Sequence, residues 1–143
     1  MNTKQIEVAQ AEGCVLDWLV ARCEGIPENQ LYVDKWSGSL FRLNLNEEGE
    51  LDGSYTTGPD LLFSRKWEAA GRIINRMLAS PECLTIEHTN RSNPKERYVA
   101  SLNKPNRFNF GPTVLVAVMR CYVASKLGSM TEIPEWIDKI PNI

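Results

Sequence analysis

The sequence holds a single histidine, and none of its four cysteines stand in a Cys-x-x-Cys pair. A zinc site would have to gather His88 with Cys14, Cys23, Cys83 and Cys121 from distant parts of the chain. Three of these cysteines fall inside apolar runs, where a thiol reads as a small buried hydrophobe in a reducing compartment. A disulfide, redox or zinc set is the alternative, and no spacing supports it. No metal and no cofactor is therefore expected. Long apolar runs are also missing, since none approaches the roughly 20 residues that span a bilayer. The start, MNTKQIEVAQAEG, lacks the basic end and apolar core of a signal peptide. The expected location is the cytoplasm, with no membrane partner. Nor is there a surplus of positive charge. Sixteen Lys and Arg stand against 18 Asp and Glu, a net charge of -2. Duplex-binding proteins usually carry a basic excess to pair with phosphates, so nucleic acid is a partner not favoured globally, with a local basic patch left open.

What the chain does have is ordinary globular composition. Its 143 residues are 43% hydrophobic and 24% charged. That length predicts one domain, residues 1–143, with a core over 13–128 and a tail, 129–143, packed back on it. A domain of this size buries roughly 68–70% of its unfolded surface and needs no disulfide or metal to fold. Val15, Trp18, Leu19 and Cys23 follow helical spacing and predict a helix from Gly13 to Glu24, stopped by Gly25 and Pro27. Leu31–Val33 and Leu40–Leu45 read as strands around a Trp36–Ser39 turn. Residues 46–60 are polar and rich in turn formers and predict a long loop.

A second helix is predicted from the stripe Phe63, Trp67, Ala70, Ile74 and Met77, ending at Ser80-Pro81. Cys83–His88 and Glu96–Leu102 predict two more strands, followed by an irregular segment from Asn103 to Gly111. The last helix is predicted from Pro112 to Leu127, nearly all apolar and so buried on most sides, with Gly128 after it. The order helix-strand-strand-helix-strand-strand-helix predicts an α+β fold, a layered α/β/α sandwich with a mainly antiparallel sheet.

Three stretches carry a family resemblance. They are Gly13 with Leu16-Asp17-Trp18-Leu19-Val20-Ala21 and Glu24-Gly25; Ser54-Tyr55-Thr56-Thr57 with Trp67 and Gly71-Arg72-Ile73-Ile74; and the run from Gly111 to Gly128. In these the chain resembles the phage NinX-like proteins with a phage ABA sandwich domain. The resemblance implies a bacteriophage or prophage origin, an infected bacterial host cell as the location, and an α/β/α sandwich. It implies no established activity.

Ligand-binding candidates gather in two places. At the start of the last helix, Lys104, Arg107, Gly111 and Thr113 combine positive charge, a hydroxyl and a close backbone approach with free helix amides, which suits an anion. The alternative is plain helix-start chemistry, with Phe108 and Phe110 plugging the core. In the loop, Tyr55 and Thr57 offer an aromatic face beside hydroxyls, or else a turn feeding the second helix. Arg65, Arg72 and Arg76 are expected to share a basic face of that helix, able to meet phosphates or an acidic partner or simply to face solvent. No catalytic residue stands out. Glu47, Glu48, Glu50 and Asp52 lack calcium-loop spacing, and no serine lies in a nucleophile elbow.

The resulting expectation is a noncatalytic phage accessory protein that binds a host factor or a small anionic, nucleotide-like ligand. The resemblance suggests a counter-defence role for it. Its partner is then an unknown host protein or small molecule. A nucleic-acid-associated protein, with Arg72, Arg76, Arg91 and Arg107 converging, is the second class. An enzyme of unknown reaction is the third. A homo-oligomer through Trp36 or Trp136 is a further open arrangement.

Overall fold

A computed structural model describes residues 2–43, 47–50, 61–103 and 106–140. The candidates Tyr55, Thr57 and Lys104 lie outside the described residues, as do residues 46 and 51–60 of the expected loop. In chain order the elements are β1 (Thr3–Glu7), α1 (Gly13–Cys23), β2 (Leu31–Val33), β3 (Leu40–Arg42), α2 (Trp67–Ala79), β4 (Thr85–His88), β5 (Tyr98–Asn103), β6 (Asn106–Gly111), α3 (Val114–Leu127) and β7 (Met130–Pro134). Short 3-10 helices cover Val8–Gln10, Glu28–Gln30, Pro94–Glu96 and Glu135–Lys139. The described residues thus form an α+β fold with antiparallel strand pairing throughout.

Helix α3 is the centre of the molecule. Every residue from Leu115 to Ala124 is buried, as its nearly unbroken apolar sequence requires. Thr113 caps its start, the side-chain oxygen accepting from the Val116 amide at 3.2 Å. α1 packs against it and ends as its sequence predicts. Gly25 takes φ +85, which lets Gly25 N donate to Arg22 O at 3.0 Å and Ile26 N to Ala21 O at 3.1 Å.

The strands fall into three sheets, not one. β4, β5 and β6 make a three-stranded sheet in that order, β2 pairs with β3, and β1 pairs with β7. The β4–β5–β6 sheet lays Ala100 and Leu102 into the core. β1 and β7 bring the two ends of the chain together, Thr3 opposite Pro134 and Glu7 opposite Met130. Ile133 and Ile137 are buried behind this pair, each such burial being worth roughly 1.5–3 kcal/mol.

Three further sequence expectations change. The segment from Asn103 to Gly111 is not irregular, because β6 pairs with β5 along its length. β1 and β7 were not anticipated, because β1 has four of its five residues exposed and carries no apolar alternation. α2 begins at Trp67 rather than near Phe63. Residues 63–66 instead form a turn in which Arg65 N and Lys66 N both donate to Leu62 O. Trp67 therefore stands on the first turn and is exposed, and Ala70, Ile73, Ile74 and Met77 form the buried face.

Candidate functional site

Two charged residues interrupt the apolar runs of α1 and α3, and both are buried. Asp17 has no exposed surface. It accepts from the Ser64 amide at 2.7 Å and from Arg65 Nη2 at 3.0 Å, and that same nitrogen donates to Gly38 O at 3.0 Å. Burial pushes the Asp17 carboxyl above its usual range, against the opposing effect of these hydrogen bonds. Asp17 therefore ties the turn before α2 and the β2–β3 turn to α1. Arg120 Nε donates to Ala11 O at 2.7 Å, and its Nη1 donates to Phe110 O at 2.7 Å. It joins the approach to α1 to the end of β6.

A third polar cluster is more open. Glu24 Oε2 accepts from Tyr122 Oη at 2.5 Å and from Arg76 Nη2 at 2.5 Å. Burial and the adjacent carboxylate push the Tyr122 phenol well above its ordinary value, and the bond to Glu24 raises Arg76 further. The basic face expected on α2 is thus divided. Arg65 lies before the helix and turns inward to Asp17, Arg76 is held by Glu24, and Arg72 is exposed. Arg107 stands opposite Leu102 with its Nε buried, on the other face of the sheet from the Phe110 ring that carries Arg91.

At the start of α3, Thr113 is occupied by its capping bond. Gly111 is there to let the helix close. A Cβ on it would meet Ala117 N at 2.6 Å, so the close approach is made by the chain's own backbone. Beside this corner lies a cavity of about 430 Å³ walled by Lys95, Phe108, Phe110, Pro112 and Arg120.

A second cavity was not anticipated from the sequence. It encloses about 520 Å³ between β2 and the C-terminal 3-10 helix and is lined by Tyr32, Val33, Lys35, Trp136, Lys139 and Ile140, together with Leu31. Local structure explains each wall. Strand alternation sends Leu31 and Val33 inward and Tyr32 outward. In a 3-10 helix residues three apart eclipse one another, so Trp136 and Lys139 share a side while Ile137 is buried. Trp136 is 42% exposed and rests edge-on against the buried Trp18, with ring centroids 5.8 Å apart. Neither Lys35 nor Lys139 forms a salt bridge among the described residues. Trp36, in the adjoining turn, is 90% exposed. Asp34 holds that turn, accepting from Trp36 N and Ser37 Oγ at 3.0 Å each, and these bonds keep its carboxyl below the usual range.

Among the described residues, no helix is long and apolar enough to cross a membrane, and no three His, Cys, Asp or Glu side chains are placed to hold a metal ion. Compared with known proteins, residues 7–126 match the family model described as "Bacteriophage P22, NinX". No curated protein matches the chain.

Proposed function

The chain belongs to the bacteriophage P22 NinX family, and from that premise we propose that it is a phage accessory protein that works by binding, in the cytoplasm of the infected host, a small anionic ligand with a flat apolar part. The observation that carries this is the cavity of about 520 Å³ between Tyr32 and Trp136 with Lys35 and Lys139 on its walls. Its size falls in the range of small-molecule sites, and its lining is mostly apolar with a few charged groups to orient a ligand. Two lysine ammoniums supply charge for a phosphate, sulfonate or carboxylate, and two aromatic faces suit a planar ring. A noncatalytic role is supported by the use of two acids. The buried Asp17 and the partly buried Glu24 are both engaged in holding elements together.

Isothermal titration calorimetry with adenosine monophosphate and anilinonaphthalene sulfonate tests this. Saturable one-to-one binding of either probe that Lys35→Ala/Lys139→Ala weakens is the expected result. No heat with either probe, or binding indifferent to the double substitution and to Trp136→Ala, rejects the cavity. Native mass spectrometry of protein taken from infected cells then gives the mass of the natural occupant. A host protein in place of a small molecule would overturn the ligand class.

A further inference from the structure

The outer face of the β4–β5–β6 sheet inverts the usual distribution of side chains. Ala100 and Leu102 of β5 point to the core. Alternation sends Val99 and Ser101 the other way. The register sets Phe110 opposite Val99 and Phe108 opposite Ser101, with Thr85 and Glu87 of β4 on the far side of β5. The strand Asn106–Gly111 therefore turns its two phenylalanines to the outer face, Phe108 exposed and Phe110 half-buried, and Asn109 inward. Phe108 is 64% exposed. It meets Phe110 edge to face, with centroids 5.8 Å apart at 81°.

A guanidinium sits on this pair. Arg91 Cζ lies 4.2 Å from the centre of the Phe110 ring, and its Nη1 is held by Glu96 at 2.7 Å. The segment between β4 and β5 carries Arg91, Lys95 and Arg97 against Glu96 alone. It is locally cationic in a chain of net negative charge. Lys95 and both phenylalanines also border the cavity of about 430 Å³ beside the start of α3. Glu87 on β4 disfavours an anionic chain on that side of the sheet, and Glu12 carries the same charge on the far wall of the cavity.

We propose that this face binds single-stranded nucleic acid, one base stacking on Phe108 and its neighbour lodging against Phe110 and the adjoining cavity, with Arg91 and Lys95 on the phosphates. An open sheet with aromatic rings one strand-repeat apart and cations at one margin is how a single strand is gripped without reading a duplex. The rings accept any base, so binding depends weakly on sequence. A duplex keeps its bases stacked inside and offers the rings nothing. The inference is independent of the Tyr32–Trp136 cavity.

Fluorescence anisotropy with labelled DNA and RNA single strands of mixed sequence, and the matching duplex, tests it on the full chain at low salt. The expected result is saturable binding of a single strand that weakens as salt rises, with the duplex bound more weakly. Phe108→Ala should weaken binding about 5- to 150-fold, the usual loss of a stacked base. Arg91→Ala should weaken it and reduce the salt slope by about one. Lys139→Ala should leave it unchanged. Either polymer satisfies the proposal, and their ratio tells which backbone the face prefers. Three results overturn it: no binding of either single strand, a duplex bound as well as its strands, or full affinity in a folded Phe108→Ala protein. Far-ultraviolet circular dichroism confirms folding, which the exposure of Phe108 leads one to expect.

Discussion

Replacing Asp17 tests how the α1, β2–β3 and α2 regions are joined. The carboxylate is wholly buried and accepts two hydrogen bonds, from Ser64 N at 2.7 Å and Arg65 Nη2 at 3.0 Å. Asp17→Ala removes both acceptors and leaves a buried amide and a guanidinium facing a void. Truncating one partner of a buried ion pair costs about 3–5 kcal/mol, a large part of the roughly 5–15 kcal/mol that holds a domain together. With a urea dependence of about 2 kcal/mol per M, the unfolding midpoint should fall by roughly 2 M. Asp17→Asn keeps the volume and one acceptor oxygen, so its loss should be smaller, about 0.5–1.5 kcal/mol for one hydrogen bond.

The acid side of the titration adds a signed test. Burial raises the Asp17 carboxyl above its unfolded value, so the folded state takes up a proton before the unfolded state does. The wild type gains stability from this group as pH falls through the folded value, and that gain is lost again as pH rises through it. The amide of the Asp17→Asn variant takes up no proton, so the gap between it and the wild type should widen on acidification. Equilibrium urea unfolding of the three proteins from neutral to mildly acidic pH is the assay. An Asp17→Ala loss within about 0.5 kcal/mol, the scale of an ordinary surface change, would refute the reasoning. A gap that narrows in acid would refute the pH part.

Two further outcomes follow from the geometry. Gly111→Ala places a methyl 2.6 Å from Ala117 N, so thermal unfolding should show a loss of about 1–3 kcal/mol, as overpacking gives. Tyr122 should ionise well above the ordinary phenol range in an alkaline absorbance titration, and Glu24→Gln should bring its transition down, since the carboxylate adds to the rise that burial causes. The bond to Glu24 stabilises the fold below the ordinary phenol value and is lost as pH climbs through the raised one.

Helix α1 was legible from its helical spacing and the Gly25 after it, and α3 from its long apolar run and Gly128; the start of α3 was placed at Pro112, whereas Thr113 caps it. The β4–β5 hairpin was legible from its two strand-like runs and the polar turn between them. β1 and β7 were not, since a short polar strand declares itself only through a partner at the other end of the chain. β6 was hidden for a different reason. Its alternation is regular, but the apolar residues lie on the face away from the core, Phe108 exposed and Phe110 half-buried, so both read as core plugs.

The buried polar ties did leave a trace. Asp17 between Leu16 and Trp18, and Arg120 between Met119 and Cys121, are single charges inside otherwise apolar helical runs. Such a charge must find partners when buried, and each did. The Tyr32–Trp136 cavity left none, because it joins residues far apart that share no motif. Trp136 and Lys139 also lie outside the stretch matched to the family, residues 7–126.

The pairing of β1 with β7 sets the order in which the protein can be completed. Thr3 is synthesised long before Pro134, its partner. Closing a loop of that length costs entropy that grows only slowly with length, so the delay is one of timing more than of energy. While the chain grows, the surfaces that Ile133 and Ile137 will cover stay open. Nearly all of the stretch matched to the family then lies between the two strands of a clasp, which can close only once β7 has been made.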